Sequence, residues 1–389
     1  MSPSCDRGRL IAAKFSFTFW VVVTASSCGD VAGSDFPIPA ISWNPERYVC
    51  YRITEALTID GSPQEASWQQ AAWTRDFLDI VGESQPHPRF RTRVKLLWDS
   101  EYFYIAAVME EPDLWATLTL RDAVIYHEND FELFIDPDGD NHLYYELEIN
   151  ALGTIWDLLL IKPYRDGGPA VNAWDIRGLQ SAVNLDGTLN DPGDRDRGWS
   201  VEIAIPWRVL KECARRDAPP VDGDIWRVNF SRVEWQLTVE NGAYAKVQDP
   251  ATNQPLPEDN WVWSPQGLIA MHYPEMWGMV MFRDLPPVTT EVVEVRFSLL
   301  GENARWQLMQ LYYCQRQWQA RHGSFATDLS ILQWPAASPG LACTLHATPT
   351  LFEATCREAN ITLHVDQDSR LWQTADPPAA HTAPAAEQP

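Results

Sequence analysis

The chain has 389 residues with a formal net charge of −23 and a sequence pI near 4.6. That length holds one large or two modest domains with a substantial core. An acidic surface repels phosphate backbones, which argues against nucleic acid as a partner and leaves neutral glycans or cations. The 19 Trp far exceed ordinary usage; most are expected in the core, and the remainder exposed for a ligand.

The first 28 residues read as an export signal. Arg7, Arg9 and Lys14 supply a basic start, Phe15 to Val23 a short apolar run, and Ala25-Ser26-Ser27-Cys28 a small-residue end. The ending resembles a bacterial lipobox with Ala where Leu is usual, so Cys28 is the expected lipidation site and the membrane an expected partner through that anchor. The alternative is secretion after cleavage near Ser27. No later segment is apolar enough to span a bilayer. Setting aside Cys5 and Cys28, five Cys remain: Cys50, Cys213, Cys314, Cys343 and Cys356. An odd number leaves at least one unpaired within the chain, while Cys343 and Cys356 flank an expected hairpin and could bridge in an oxidising compartment. The absence of a CxxC or a Cys/His array argues against structural zinc.

Residues 29–48 read as a Pro-containing linker, and the first domain runs from 49 to 285. Ile59-Asp60-Gly61 signals a turn, and Glu65 to Trp73 a short helix. Val94–Trp98 and Tyr102–Met109 form a hairpin across Asp99-Ser100-Glu101. Phe131 to Asp136 alternates, with Phe131, Leu133 and Ile135 on one face and Glu132 on the other. After the turn Pro137-Asp138-Gly139-Asp140-Asn141, His142 to Asn150 alternates Leu143, Tyr145, Leu147 and Ile149 against Tyr144, Glu146 and Glu148. Gly198–Ile205, Ile225–Glu234 and Gly278–Phe282 complete a mainly β chain whose regular short strands predict a β-sandwich. Beyond Pro286-Pro287 an α+β appendage spans 290–373: a strand over Val292–Leu299, a helix over Glu302–His322 ended by Gly323, and short strands from Cys343 to Leu371. Residues 374–389 read as a disordered Pro/Ala-rich tail.

The landmarks IDGSPQEASW, RVKLLWDSEYFYIAAVMEEPD, NDFELFIDPDGDN, GWSVEIAIPWRVL, GDIWRVNFSRVEW and WSPQ…YPEMWGMVMF occur in the order of carbohydrate-binding module family 9. The chain from Val49 to Phe282 resembles that family, and most of all its stand-alone bacterial envelope members. The resemblance implies a β-sandwich related to the DOMON group and non-catalytic binding of a polysaccharide or oligosaccharide, supporting its capture or degradation. Family modules clamp a sugar between two Trp. The corresponding positions fall near Tyr126 or His127 and near Met271, and neither carries Trp here. Glu132 matches an acidic family position, and Glu148 stands where the family carries a basic group.

Rings offer apolar faces to sugar C–H groups, and carboxylates accept bonds from hydroxyls. On that chemistry the candidate carbohydrate-binding residues are Tyr126, His127, Glu128, Asp130, Glu132, Trp174, Asp175, His272 and Tyr273, with Arg227 or Asn229 as neighbouring donors. Tyr126 and Trp174 are the expected stacking rings. Asp136, Asp138 and Asp140 alternate like the start of a calcium loop, but an EF-hand would need Glu where Leu147 stands. An Asp/Gly-rich turn accounts for them, and the family's structural calcium keeps a metal role open. Catalysis is the lesser expectation. A glycoside hydrolase would need paired carboxylates, for which Glu132, Glu146, Glu148 and Glu202 could share a sheet face. DOMON relatives also include haem-binding electron carriers, with Met271, His272, Met276 and Met279 as the ligands to consider.

Overall fold

The computed structural model describes residues 35–287, 297, 301–335 and 340–375. The export signal with Cys28, nearly all of the Val292–Leu299 strand and the tail beyond residue 375 lie outside the described residues. Strands β1 (Arg47–Arg52), β2 (Leu78–Asp79), β3 (Thr92–Trp98), β4 (Tyr102–Glu110), β5 (Asp130–Asp136), β6 (Tyr144–Asn150), β7 (Ile155–Leu160), β8 (Ala170–Val171), β9 (Gln180–Asp186) and β10 (Gly198–Pro206) come first, with a short helix α1 (Ala66–Gln70) between β1 and β2. Helix α2 (Trp207–Leu210) then leads into β11 (Ile225–Glu234), β12 (Leu237–Glu240), β13 (Ala243–Lys246), β14 (Asp259–Val262) and β15 (Gly278–Arg283). Helix α3 (Glu302–His322) and strands β16 (Ala342–Ala347), β17 (Phe352–Glu358), β18 (Ile361–Asp366) and β19 (Leu371–Ala375) follow.

Most of the strands join one curled sheet in the order β8-β7-β6-β5-β11-β15-β1-β3-β4-β10-β9. Its two halves fold over one core, as a β-sandwich does. Val94, Leu96, Phe103, Ile105, Val201 and Ile203 meet Phe131, Leu133, Leu147, Ile149, Val228 and Phe230 there. Strand alternation dictates this, because every second residue must face the same way. Leu143 departs from the expected pattern: it is exposed and takes a positive φ of 49° before β6 begins. The tight β12–β13 hairpin was signalled by Asn241-Gly242, both at positive φ, although the strands themselves were not anticipated.

The Ile59-Asp60-Gly61 turn packs on β9 and β10. Gly61 has φ +88°, and a Cβ there would sit 2.6 Å from the Asn184 backbone nitrogen, so only glycine fits. Glu202 of β10 clamps the turn and α1: its carboxylate accepts from the backbone amides of Asp60 and Gly61 and from the Trp68 indole at 2.7 Å. Glu202 therefore does not share a face with Glu132, Glu146 and Glu148, since β10 and β5–β6 lie in opposite halves of the sandwich.

Helix α3 lies across β17 and β18, with Leu308 and Leu311 among the residues of a second core shared with Leu363, Val365, Tyr273 and Met276. Cys343 and Cys356, opposite each other on β16 and β17, form a disulfide, and Cys50, Cys213 and Cys314 are free thiols. Among the described residues no helix is long and apolar enough to cross a membrane.

Candidate functional site

The outer face of β5, β6 and β7 holds the most unusual chemistry of the chain. Glu132 faces outward from β5 opposite Glu148 of β6, and Trp156 of β7 stands beside Glu148. Glu146 lies opposite Phe134 one step along. Below them Phe134, Tyr144, Leu158, Leu160 and Trp277 form a small apolar cluster. The alternation that predicts this face is the same one that builds the core, but side chains arriving from three loops cover it. As a result Asp130, Glu132, Glu146 and Glu148 are all buried.

Two tyrosines flank the buried acids. Tyr126 sits in a single 3-10 turn anchored by buried Ile125. Its backbone amide donates to Glu148 Oε2 at 3.0 Å, and its carbonyl accepts from the Trp235 indole. The ring is 38 % exposed and tilts against Trp156 at a centroid distance of 6.3 Å. Tyr164, which sequence reasoning missed, is 48 % exposed and meets the edge of the His272 ring at 4.5 Å. Burial chiefly raises the pKa of both tyrosines, and the charges of Glu146 and Glu148 raise it further. Tyr164 reaches the same outer face through His272, whose ring also meets Phe134 and Tyr144. The sequence signal for Tyr164 is its Lys-Pro-Tyr-Arg-Asp-Gly-Gly loop, an aromatic beside a turn, as Trp174 is on the loop's other side.

The appendage holds Tyr164 in place. Its neighbour Arg165 pairs with Glu275 at 2.9 Å and lies over the Tyr273 ring, while Asp166 accepts from the Tyr312 hydroxyl, Ser369 Oγ and Arg316. With both neighbours tied inward, Tyr164 is left at the surface. The Asp136–Asn141 turn serves the same docking: Gly139 accepts from Arg305, Asn141 Nδ2 donates to the Ser369 carbonyl, and Asp140 meets Arg370.

The candidate residues separate into distinct roles. Tyr126, exposed His127, Asp130 and Glu132 belong to this face, with half-buried His272 at its edge. Glu128 does not offer its carboxylate to a ligand, because it accepts from Thr117, Leu118 and Asn150 and braces the loop from within. Trp174 stacks on Tyr145 at 5.0 Å, and Tyr145 belongs to the sandwich core, on the opposite side of β6 from Glu146. Asp175 pairs with Arg121 at 3.1 Å near buried Asp157. Neither joins Tyr126, because odd and even residues of β6 and β7 point to opposite faces. Tyr273 is buried, stacks on Tyr313 and donates to the Pro37 carbonyl, so it is part of the appendage interface. Arg227 is committed to Glu302, and Asn229 to Ser264.

Asp136 accepts from the amides of Gly139 and Asn141, Asp138 from Asp140, and Asp140 from His142. Burial pushes the Asp138 carboxyl up to about 6. One oxygen from each of the three lies within 4.8 Å of the others, but the turn's own amides already account for this arrangement. The Met/His group does not converge either. His272 bonds Tyr144 within the outer-face aromatics, with burial holding its pKa down at about 3, whereas Met276 lies in the α3 core.

Residues 59–219 match the family model described as carbohydrate family 9 binding domain-like. That stretch of the chain is therefore similar to family 9 carbohydrate-binding domains. The match ends before β11, yet β11 pairs with β5 and β15 and completes the same sheet. No curated protein matches the chain. Among solved structures, a family 9 carbohydrate-binding module from Caldicellulosiruptor kristjanssonii in complex with cellotriose is similar at 15% identity and a TM-score of 0.39, covering 64% of this chain and 100% of that one. The same organism's module with glucose is similar at 16% identity and a TM-score of 0.39, covering 62% and 100%. A candidate carbohydrate-binding protein from Bacteroides uniformis is similar at 16% identity and a TM-score of 0.45, covering 62% and 100%.

Proposed function

We propose that this protein binds a carbohydrate on the outer face of β5–β7, without transforming it. The observation that carries this reading is the pair of exposed rings, Tyr126 and Tyr164, on the outer face that also holds Glu132, Glu146 and Glu148, in a family 9-like domain. Tyrosine faces suit sugar C–H groups, and a polar floor fixes orientation. Trp156 adds a third apolar surface beside Tyr126. The two Caldicellulosiruptor modules named above are in complex with cellotriose and glucose, which makes oligosaccharides of neutral hexoses the first ligands to test.

The finer reading places the protein at a bacterial cell envelope, exported and held through Cys28, where it would capture polysaccharide for degradation. The amino-terminal pattern supports export, and the Cys343–Cys356 disulfide suits an oxidising compartment. The test is a glycan array of plant and algal polysaccharides probed with the exported chain, together with a reducing-sugar assay. A selective hit without sugar release is the expected result. A blank array, or release of reducing ends, sinks the reading. Loss of the hit in Tyr126→Ala and Tyr164→Ala, but not in Trp174→Ala, would place the ligand on this face.

A further inference from the structure

Among the described residues, three groups of carboxylates bring one oxygen each within 4.8 Å of the others. In the group Asp122, Asp157 and Asp175, the Arg121 guanidinium contacts all three and neutralises the cluster. The group Asp136, Asp138 and Asp140 is held by backbone amides and by Arg370. The third group, Asp130, Glu132 and Glu148, has no ion-pair partner among the described residues, although it is the most deeply buried of the three.

Two further facts make this cluster unlike an ordinary acidic surface. Asp130 is 0% exposed, and while its Oδ1 accepts from the Val233 amide, its Oδ2 has no hydrogen-bond partner. Glu146 is buried on the same face of β6 as Glu148, and its Oε2 is likewise unpartnered. A buried carboxylate oxygen without a donor is costly, and natural proteins rarely keep one without a reason. The surrounding donors are few: the Tyr126 amide on Glu148 and the Ser231 hydroxyl on Glu132. The nearby cation, Lys246, is turned onto the Trp235 ring at 3.2 Å, and Glu258 adds negative charge.

We propose that Asp130, Glu132 and Glu148 form a binding site for a hard divalent cation of the calcium class, with Glu146 as an additional oxygen donor. The donor set is all oxygen, which suits calcium or magnesium and gives no preference to zinc. Several converging carboxylates in a dry setting favour calcium over magnesium, which keeps more of its own waters. The cation neutralises a cluster that the protein leaves uncompensated. The cation site does not depend on the glycan reading.

The experiment is calcium titration of chelator-treated protein by calorimetry, paired with terbium luminescence excited through Trp156 and the neighbouring rings. One saturable site is expected, weakened at least tenfold by Glu148→Gln and by Asp130→Asn. Asp138→Asn and Asp122→Asn should leave it unchanged. Circular dichroism separates lost binding from lost folding, and Glu132→Gln serves as the third variant if Asp130→Asn does not fold. No saturable binding to the wild-type protein overturns the proposal. So does a site abolished by Asp138→Asn or Asp122→Asn, or one that accepts only ammonium-bearing sugars. Calcium binding with a blank glycan array supports the cation site and sinks the glycan reading; a glycan hit with no bound calcium does the reverse.

Discussion

Two buried ionic regions of this molecule solve the same electrostatic problem in opposite ways. Where α3 docks on the sandwich, Arg165 and Arg316 meet Asp166 and Glu275, and the hydroxyls of Tyr312, Tyr313 and Ser369 take up remaining acceptors. On the outer face of β5 and β6, four carboxylates are buried with no basic partner among the described residues, and two oxygens lack any donor. Buried charge is tolerated when matched and costly when not. The matched region is therefore structural, and the unmatched one is where the proposed cation would supply the missing counter-charge.

The comparison breaks most sharply at Arg165. Arg165→Ala would leave Glu275 and Asp166 short of a counter-charge, and removing one partner of a buried pair costs roughly 3–5 kcal/mol. Denaturant unfolding should show that loss, and glycan affinity should fall with it because Tyr164 loses its anchor.

The next effect concerns pH. Burial pushes the Glu132 carboxyl up from 4.5 to about 7, and the neighbouring Glu258 charge adds to the rise while the Ser231 hydroxyl opposes it. An acid with a raised folded-state pKa keeps its proton longer in the folded chain. Between about pH 4.5 and 7 the folded state thus binds more protons than the unfolded one, and stability falls as pH rises. For Glu132 alone the fall is on the order of 3 kcal/mol. Thermal melts of the cation-free protein should give a higher Tm at pH 5 than at pH 8, and Glu132→Gln or added calcium should narrow the gap. An unchanged gap would mean the carboxylates are already compensated.

Glu148→Gln should act with the opposite sign to Arg165→Ala. Removing an uncompensated buried charge is expected to stabilise the cation-free protein at pH 8 by about 1–3 kcal/mol, while weakening calcium binding. Equal destabilisation by both substitutions would erase the distinction between the two regions. The smallest effect is at the rim. Tyr164→Ala should lower glycan affinity about tenfold, about 1.4 kcal/mol, with stability almost unchanged. Trp174→Ala should do the reverse, because its ring packs on Tyr145 and not on the outer face.

Much of the fold was legible because alternation is local. Phe131, Leu133 and Ile135 on β5, and Leu147 and Ile149 on β6, face the core as their period of two requires. The same period placed Glu132, Glu146 and Glu148 outward. It could not reveal that these acids would be buried, since burial depends on loops arriving from Tyr126, Tyr164 and His272, far apart in sequence. The rings beside one loop illustrate the limit. Trp174 and Tyr164 flank one Gly-Gly-Pro loop, and only the ties of Arg165 and Asp166 to Glu275, Tyr312 and Arg316 show which ring is left at the surface. The Asp136–Asn141 turn was legible as a turn, but its place beneath the appendage, against Arg305, Ser369 and Arg370, was not.

By itself, then, the sequence determined the strand periodicity, the turns, the long α3 helix and the two faces of each strand, because these follow from neighbouring residues and backbone geometry. The tertiary structure alone decided which outward acids are buried together, which ring borders them, and that α3 steadies that ring. Those outcomes depend on contacts between segments more than a hundred residues apart, such as Arg165 with Glu275 and Tyr312 with Asp166, and no local pattern encodes them.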